Sequence, residues 1–290
     1  MSPGSVPPRR SGGLAARVNP YWLMIAPAVL VMGALYLLPV LNVLAISVTE
    51  PEPGLGNYAM LVDNAPMHRV ILATLRVAAI TTALALLLGY FVAYGLATAS
   101  PRMRGLLMIG VVLPLWVSVL IRSFSWIAIL RRQGVLNTWL VDGGLVERPL
   151  DLLYNELAVC IGMVHFMLPY AILPLYASMR GIDGRLIAAA YGLGASRLRA
   201  FLTVFLPLSA PGIVGAGVLV FIFSLGFFVT PAILGGGRIQ MIAEYMSWLI
   251  LDRLLWGPAT MLATVLVLAI LVLLAALSRV VDLRKLFGAA

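Results

Sequence analysis

Long runs without a charged side chain dominate this 290-residue chain. Five runs contain no Asp, Glu, Lys or Arg, and a sixth is interrupted only by Arg122. The runs are 18–49, 77–101, 105–130, 157–179, 200–237 and 254–278. A helix needs about 20 apolar residues to cross a bilayer, so each run can span a membrane at least once. The sequence therefore predicts an all-α, polytopic membrane protein with about six transmembrane helices.

The run 200–237 is too long for a single crossing. Pro207, Pro211 and three later glycines interrupt it, which predicts a span of roughly 211–231 with apolar shoulders. A re-entrant piece near 239–251 is an alternative that would add a seventh membrane element. The mean hydropathy of +1.04 and the 62% share of hydrophobic residues exclude an ordinary soluble domain.

The charged residues predict which side of the membrane each loop occupies. With the N-terminus inside, the cytoplasmic segments hold twelve Arg or Lys and two acids, whereas the outer segments hold six Arg and nine acids. The positive-inside rule favours this orientation, with both termini in the cytoplasm. The high pI then follows from topology and does not indicate a nucleic-acid-binding face. The cytoplasmic basic residues are Arg9, Arg10, Arg17, Arg102, Arg104, Arg180, Arg185, Arg197, Arg199, Arg279, Arg284 and Lys285.

The two ends of the chain differ in character from its apolar runs. Residues 1–19 are rich in Pro, Gly, Ser and Arg and are predicted to form a disordered cytoplasmic tail. The apolar run after them is too long for a signal-peptide core, so it is predicted to remain as a membrane anchor. Residues 20–290 are predicted to form one transmembrane domain. Cys160 is the only cysteine, and its apolar surroundings predict a small packing residue.

Several kinds of chemistry are missing from the sequence. The single lysine, Lys285, is followed by leucine, so the chain has no phosphate-binding GxxxxGK[ST] loop and is not expected to hydrolyse ATP. His68 and His165 are far apart and belong to no metal-binding motif, so neither a metal nor another cofactor is expected. No acid lies at the centre of a predicted span, which disfavours an ion-coupled carrier. The chain is therefore expected to take energy from a partner.

The stretch Asp183–Gly212 is a polar break between two very apolar segments. Asp183 can cap a short helix over Arg185–Leu193, because its carboxylate accepts from free backbone donors in the first turn. Gly194 suits the left-handed position that ends such a helix, and Ser196 can cap the next one. Three consecutive alanines keep the helix thin enough to enter a groove on another protein; they are Ala188, Ala189 and Ala190. An amphipathic interfacial helix with a glycine bend is the simpler alternative.

The spacing in this loop resembles the EAA loop of the permease subunits of bacterial ABC importers. That pattern is EAA, three residues, Gly, nine residues and then Ile-x-Leu-Pro. This chain has AAA at 188–190, then Gly194, then Val204-Phe205-Leu206-Pro207, with the spacing kept. Ala188 stands where the family usually has glutamate, which removes one polar contact to the ATPase.

The resemblance extends over most of the chain. Asn57-Tyr58, LLGYFVAYGLA (87–97), LPLW (113–116), IRSFSWIAILRRQGVLN (121–137), HFMLPY (165–170) and FVTPAILGGG (228–237) look like the permeases of the spermidine/putrescine group. The resemblance implies a type I ABC importer permease-like fold in the bacterial inner membrane, with a cytoplasmic docking loop at about 180–207. It also implies several partners: two ABC ATPase subunits that bind ATP and Mg²⁺, a second permease that is the same or a different chain, and an extracytoplasmic substrate-binding protein. The residues expected to couple to the ATPase are Asp183, Ala188, Ala189, Ala190, Gly194, Leu206 and Pro207.

The residues that line the translocation pathway are harder to identify from sequence. Aromatic side chains near mid-span can stack on a cation or exclude water, although helix packing is the simpler explanation for each of them, including His165. Arg122, about 13 Å from the outer end of its span, is expected to snorkel outward or hydrogen-bond a neighbouring helix. The candidates are Trp116, Arg122, Trp126, His165, Tyr170, Phe227 and Phe228.

A polyamine is the favoured substrate, with another small organic solute as the alternative. Some relatives in the polyamine group have a glutamate in the fifth span where this chain reads Gly226-Phe227-Phe228. A polycation would be helped by carboxylates along its path, and the partner permease could supply them. The other function classes are an ion-coupled secondary carrier or channel and a membrane scaffold without transport activity.

Overall fold

The computed structural model describes residues 20–280, and within that range the chain is built from helices, turns and connecting segments. The predicted tail 1–19 and the basic residues Arg284 and Lys285 lie outside the described residues. The described residues form two compact units, which divide between Ala45 and Ile46.

The first unit consists of α1 (Pro20–Met32), a π-helical turn (Gly33–Leu37) and the first residues of α2 (Leu38–Thr49). Together they form a long apolar helix, and α2 itself continues into the second unit. Pro39 lies two residues after Leu37, the last residue of the π turn. A proline cannot donate to the carbonyl four residues earlier, and a π turn is one way to absorb that missing hydrogen bond without ending the helix.

The second unit holds the remaining elements. They are α3 (Gly56–Asp63), α4 (Ala65–Thr98), α5 (Pro101–Val112), α6 (Val119–Leu130), α7 (Val135–Asp142), α8 (Glu156–Arg180), α9 (Gly184–Gly192), α10 (Arg197–Ala200), α11 (Leu206–Leu225), α12 (Val229–Gly235), α13 (Ile242–Leu251) and α14 (Trp256–Val280). A 3₁₀ turn at Leu113–Trp116 follows α5, and a π turn at Phe201–Phe205 joins α10 to α11.

Three long helices, α4, α8 and α11, pack against one another at the centre of this unit. Small residues at their crossings let the backbones approach closely, as is common between membrane helices. A side chain at Gly89 on α4 would meet Ala171 on α8 at 3.1 Å, and a side chain at Gly212 on α11 would collide with Ser178. The other helices surround this bundle: α12 packs on α6 and α8, and α13 packs on α14 and α4.

The described residues contain five helices that are long and apolar enough to cross a membrane, or six when one bent pair counts as a single span. The bent pair covers the predicted run 105–130. Its two halves, Pro101–Trp116 and Val119–Asp142, meet at an angle of 99°. Val117, whose backbone is extended, and the 3₁₀ turn containing Pro114 lie at the break. The apolar run was identified correctly, but its composition carried no signal for the bend.

Two helices extend beyond the predicted spans. Helix α4 begins at Ala65, before the charge-free run 77–101, because Asn64 caps it by accepting a hydrogen bond from the backbone nitrogen of Met67 at 3.0 Å. The helix that contains most of the predicted span 211–231 begins earlier, at Arg197, and ends at Leu225. Its prolines do not break the helix: Pro207 comes just after the π turn, in the same relation as Pro39 to its own π turn. The predicted re-entrant region contains the short apolar helix α13.

Candidate functional site

The interhelical loop at 183–207 starts with a capped helix. The Oδ1 atom of Asp183 accepts a hydrogen bond from the backbone nitrogen of Arg185 at 2.9 Å, and α9 begins at Gly184. The predicted cap is therefore confirmed, and the predicted helix differs from α9 by one residue at each end. A carboxylate at this position satisfies a free backbone donor and interacts favourably with the positive end of the helix.

Gly194 ends this helix in a left-handed conformation with a φ of +84°. The backbone nitrogen of Ala195 donates to the carbonyl of Ala190 at 3.0 Å, and that of Gly194 donates to the carbonyl of Tyr191 at 2.9 Å. This pair of bonds is the Schellman motif, in which a glycine is favoured because a side chain would be strained. No atom lies within 4 Å of the position that a Cβ would occupy at Gly194, so backbone conformation alone selects the glycine.

The loop then turns into the next membrane helix. The hydroxyl of Ser196 accepts a hydrogen bond from the backbone nitrogen of Arg199 at 3.3 Å, which confirms the predicted second cap. From there α10, the π turn and α11 form a single helix, in which Leu206 and Pro207 occupy the first turn of α11. A glycine elbow thus connects α9 directly to a membrane span, so the position of α9 is tied to that span.

The outward side of α9 is exposed and partly apolar. Ile187 packs against the hydrophobic core that α8 and α11 share, and this contact fixes α9 to the bundle. Ala188 and Ala189 face away from the bundle, and Leu193 is 90% exposed. We call the exposed residues Leu186, Ala188, Ala189, Tyr191 and Leu193 the α9 surface. Exposed arginines border it, which gives an apolar surface with a cationic rim; they are Arg185, Arg197 and Arg199.

A second candidate site is a group of aromatic side chains from α6, α8, α11 and the segment between α11 and α12. We call it the aromatic cluster, and its members are Trp126, His165, Phe166, Tyr170, Phe223 and Phe227. Phe166 lies in the middle, with ring centroids 5.8 Å from Tyr170 and 4.5 Å from Phe227. Phe223 extends the cluster, at 5.3 Å from Tyr170.

A hydrogen bond anchors one end of the aromatic cluster. The indole nitrogen Nε1 of Trp126 donates to Nδ1 of His165 at 3.1 Å, and the two rings meet edge to face. His165 is thus a partnered interior histidine, which was the simpler of the two sequence interpretations.

Arg122 places its charge on the same cluster. Its guanidinium carbon lies 4.3 Å from the centroid of the Phe166 ring, in a cation–π arrangement. Its Nε and Nη1 atoms are buried and have no hydrogen-bond partner among the described residues. The predicted hydrogen bond to a neighbouring helix is therefore absent for these two atoms, and the aromatic ring takes its place.

The structure brings together five of the predicted pathway residues. They are Arg122, Trp126, His165, Tyr170 and Phe227. Trp116 is 87% exposed and lies against α5 in a shallow apolar cavity, and Phe228 is exposed at the start of α12. The sequence interpretation missed Phe166 and Phe223. Phe166 could have been found, because it lies four residues before Tyr170 on one helix face.

The geometry of the loop and bundle accords with the comparison to protein families. Residues 85–285 match the family described as the inner membrane component of binding-protein-dependent transport systems. The match covers more than half of the chain. The chain belongs to this family. It is therefore a permease subunit of an ABC importer, a multi-pass protein of the inner membrane that works with a binding protein and other transporter components.

Individual relatives and solved structures agree with this assignment. The permease is 34% identical over 245 residues to the spermidine/putrescine transport system permease protein PotB of Haemophilus influenzae, a match that covers 81% of this chain and 86% of the relative. Its fold is similar to a chain of a bacterial ABC transporter involved in the import of the acidic polysaccharide alginate, with a TM-score of 0.70 at 18% identity. That comparison covers 90% of this chain and 94% of the other. A second structure of the alginate transporter, in complex with a periplasmic protein carrying an alginate pentasaccharide, gives a TM-score of 0.68 at 17% identity over 87% of this chain and 90% of that one.

Proposed function

We propose that this permease carries a polyamine such as spermidine or putrescine inward, and that it couples to separate ATPase subunits through the loop 183–207. The coupling rests on one observation above all: a capped, exposed helix is joined by a glycine elbow to a membrane span. The substrate rests on the similarity to polyamine permeases over four-fifths of the chain.

The coupling mechanism follows from how α9 is attached. An ATPase groove that binds the α9 surface can push or pull α9 as the ATPase closes and opens. Ile187 and the elbow at Gly194 transmit this displacement to the bundle and to α11. The roles proposed for Asp183 and Ser196 are to hold the two helix ends at the elbow, so that the motion is not lost in fraying.

The energy source and the partners complete this proposal. The chain itself hydrolyses no ATP, and two partner ATPase subunits bind ATP and Mg²⁺. A second permease, the same chain or a different one, encloses the pathway together with this one, and an extracytoplasmic binding protein delivers the substrate. Both termini lie in the cytoplasm, as the distribution of basic residues favours. An ion-coupled secondary carrier is not favoured, because it gives the exposed α9 surface no role.

The aromatic cluster supports a cationic substrate in one respect and opposes it in another. The faces of Tyr170, Phe223 and Phe227 can each attract an ammonium group through the ring quadrupole. The guanidinium of Arg122 already covers the ring face of Phe166, and its positive charge repels a polycation. We therefore propose that a polyamine passes the cluster without binding tightly, and that tight recognition belongs to the binding protein.

The decisive experiment compares two aspartate substitutions at left-handed glycines. Gly194→Asp adds a strained, charged side chain at the elbow, and Gly144→Asp adds the same side chain in an exposed loop between α7 and α8. Gly144 has a φ of +70° and, like Gly194, no atom within 4 Å of the place where a Cβ would lie. The local backbone cost is therefore matched, and only the location differs.

Both variants are purified from membranes in mild detergent, and the co-purifying proteins are identified by mass spectrometry. We expect an ABC ATPase with the wild type and Gly144→Asp and its loss with Gly194→Asp, together with loss of radiolabelled spermidine uptake in cells. Normal ATPase recovery and uptake with Gly194→Asp would reject the coupling role. Uptake of a different solute, lost in the same variant, would reject the polyamine and retain the coupling.

A further inference from the structure

A cavity of about 490 Å³ opens at the start of α4, between that helix and the segment 237–240 before α13. Three arginines line it: Arg69 and Arg76 from α4, and Arg238 from the segment that follows α12. Neither the α9 surface nor the aromatic cluster contributes a residue to this cavity. We call it the arginine cavity.

The arginine cavity carries an excess of positive charge. Arg76 forms an ion pair with Glu156, but Arg69 and Arg238 have no carboxylate partner among residues 20–280. All three side chains are exposed at the rim, and the guanidinium groups of Arg69 and Arg238 are free to bind a ligand. A planar guanidinium donates two parallel hydrogen bonds to a phosphate or a carboxylate, and two unpaired ones at the same rim favour an anion.

The position of the arginines along α4 places the cavity at the membrane surface. Arg69, Ala73 and Arg76 share one face of the helix, since they are spaced four and three residues apart. With a rise of 1.5 Å per residue, Arg76 lies about 33 Å from the other end of α4 at Thr98, and Arg69 about 44 Å. A hydrocarbon core is about 30 Å thick, and the bilayer with its headgroups about 40–45 Å. The two arginines therefore bracket a headgroup layer.

The walls of the cavity are apolar, unlike its rim. Val70 and Tyr245 are buried in its wall, and Leu72 on α4 is largely exposed beside it. Leu75, one turn further along α4 towards the hydrocarbon core, is also exposed. An acyl chain that runs down α4 from the cavity would cover both leucines. A small inorganic anion would leave them bare.

We propose that the arginine cavity binds the phosphate diester of an anionic phospholipid. Arg69 and Arg238 hold the phosphate, Arg76 stays paired to Glu156 at the hydrocarbon boundary, and an acyl chain lies along Leu72 and Leu75. With the N-terminus in the cytoplasm, this lipid belongs to the outer leaflet. Arginines are not favoured on that side by the positive-inside rule, so a group of three there has no explanation in topology. This inference goes beyond the proposed transport function, and only the choice of leaflet uses the proposed orientation.

The test measures lipid retention by the full-length chain purified in dodecyl maltoside. Native mass spectrometry follows the protein as it is titrated with palmitoyl-oleoyl phosphatidylglycerol or with the zwitterionic phosphatidylcholine of the same chains. The test variant is Arg69→Gln with Arg238→Gln. The control is Arg131→Gln with Arg148→Gln, which removes the same two charges from exposed positions outside the cavity. Each protein is also titrated with phosphatidylglycerol in the presence of inorganic phosphate.

We expect the wild type and the control to retain phosphatidylglycerol in preference to phosphatidylcholine. The test variant is expected to bind phosphatidylglycerol about tenfold more weakly, while its phosphatidylcholine adducts and its size-exclusion profile stay unchanged. Equal retention of the two lipids by the wild type, or equal phosphatidylglycerol loss in both double variants, would overturn the proposal. Binding of inorganic phosphate without lipid retention would assign the site to a free phosphate and overturn the lipid. No uptake is measured, so these outcomes are independent of the transport proposal.

Discussion

The loop 183–207 and the aromatic cluster are built in opposite ways. Every hydrogen bond that shapes the elbow joins residues at most five positions apart, from Asp183 to Ser196 and beyond. The contacts of the aromatic cluster join different helices, as in the hydrogen bond between Trp126 and His165 across 39 positions. The α9 surface is exposed, whereas every member of the cluster except Phe223 is partly buried.

This difference determines what a substitution can teach about each region. A change at Leu193, the most exposed residue of the α9 surface, removes little packing from this chain, so a loss of transport would report on a partner. A change in the aromatic cluster alters packing between α6, α8 and α11 together with any role in the pathway. For the cluster, transport must therefore be measured alongside folding stability.

The largest effect is expected for Leu193→Asp. Leu193 is 90% exposed, so the substitution is expected to leave the thermal midpoint of the purified chain unchanged. An aspartate buried without a partner in the ATPase groove costs several kcal/mol, which predicts uptake about 100-fold below the wild type. Initial rates of radiolabelled spermidine uptake, at matched protein levels in the membrane, check this.

The matched control is Leu145→Asp, an exposed leucine in the loop between α7 and α8. It adds the same charge outside the α9 surface and is expected to transport normally. Equal losses in the two variants would mean that the added charge acts on the whole protein, and the contrast between loop and cluster would then lose its basis.

The next effect concerns Arg122 and the ring on which it lies. Arg122→Gln removes the cation, and Phe166→Leu removes the π face while keeping most of the apolar volume. A desolvated cation–π contact is worth about 2 kcal/mol, so each single variant is expected to lower uptake by about 30-fold. The double variant is expected to be no worse than either single one, because both remove the same contact.

Thermal unfolding in detergent is measured for the wild type, the two single variants and the double variant. It separates an effect on helix packing from an effect on the translocation pathway. Additive losses of uptake would show that Arg122 and Phe166 act independently, and would contradict their contact as the common cause. Non-additive uptake with non-additive stability would assign the pair to helix packing alone.

How far the sequence could predict these regions depends on the range of their interactions. Asp183, Gly194 and Ser196 cap helices through bonds to residues at most three positions away, so the elbow could be predicted residue by residue. The apolar runs likewise predicted the spans, because hydrocarbon excludes charge wherever a helix crosses. The resemblance to importer permeases added the partners, which no local pattern contains.

The failures all involve information from elsewhere in the fold. Pro207 was interpreted as a helix breaker, but a π turn before it lets the helix continue. On either side of the bend at Val117, the 3₁₀ turn packs on α8 and α6 packs on α12, and Phe166 contacts Phe227 and Arg122. No single run of residues reports these contacts. Trp116 and Phe228 were predicted to line the pathway because they are aromatic. Residue type does not determine which side chains lie beside a residue, and both are exposed outside the aromatic cluster.

A smaller effect is expected for Trp126→Phe. The substitution keeps an aromatic ring but removes the donor that His165 Nδ1 accepts, leaving a half-buried acceptor without its partner. Such a loss costs about 1–3 kcal/mol, which predicts a thermal midpoint a few degrees lower and uptake reduced by no more than about threefold. Trp139→Phe, at an exposed indole, is the control and is expected to change neither quantity. A tenfold loss of uptake at an unchanged thermal midpoint would move Trp126 from packing to the pathway.

The smallest effect is expected for Ser196→Ala. This substitution tests whether coupling is limited by the stiffness of the elbow or by contact at the α9 surface. The capping bond is 3.3 Å long and exposed, so its loss is expected to cost about 0.5–1 kcal/mol of local helix stability and to lower uptake less than twofold. Ser196→Asp supplies an alternative cap and is expected to restore uptake to the wild-type rate. If Ser196→Ala instead lowered uptake as far as Leu193→Asp, the stiffness of the elbow would limit coupling more than contact at the α9 surface. Since Gly194 and Asp183 hold the elbow independently of Ser196, we expect the contact to limit it.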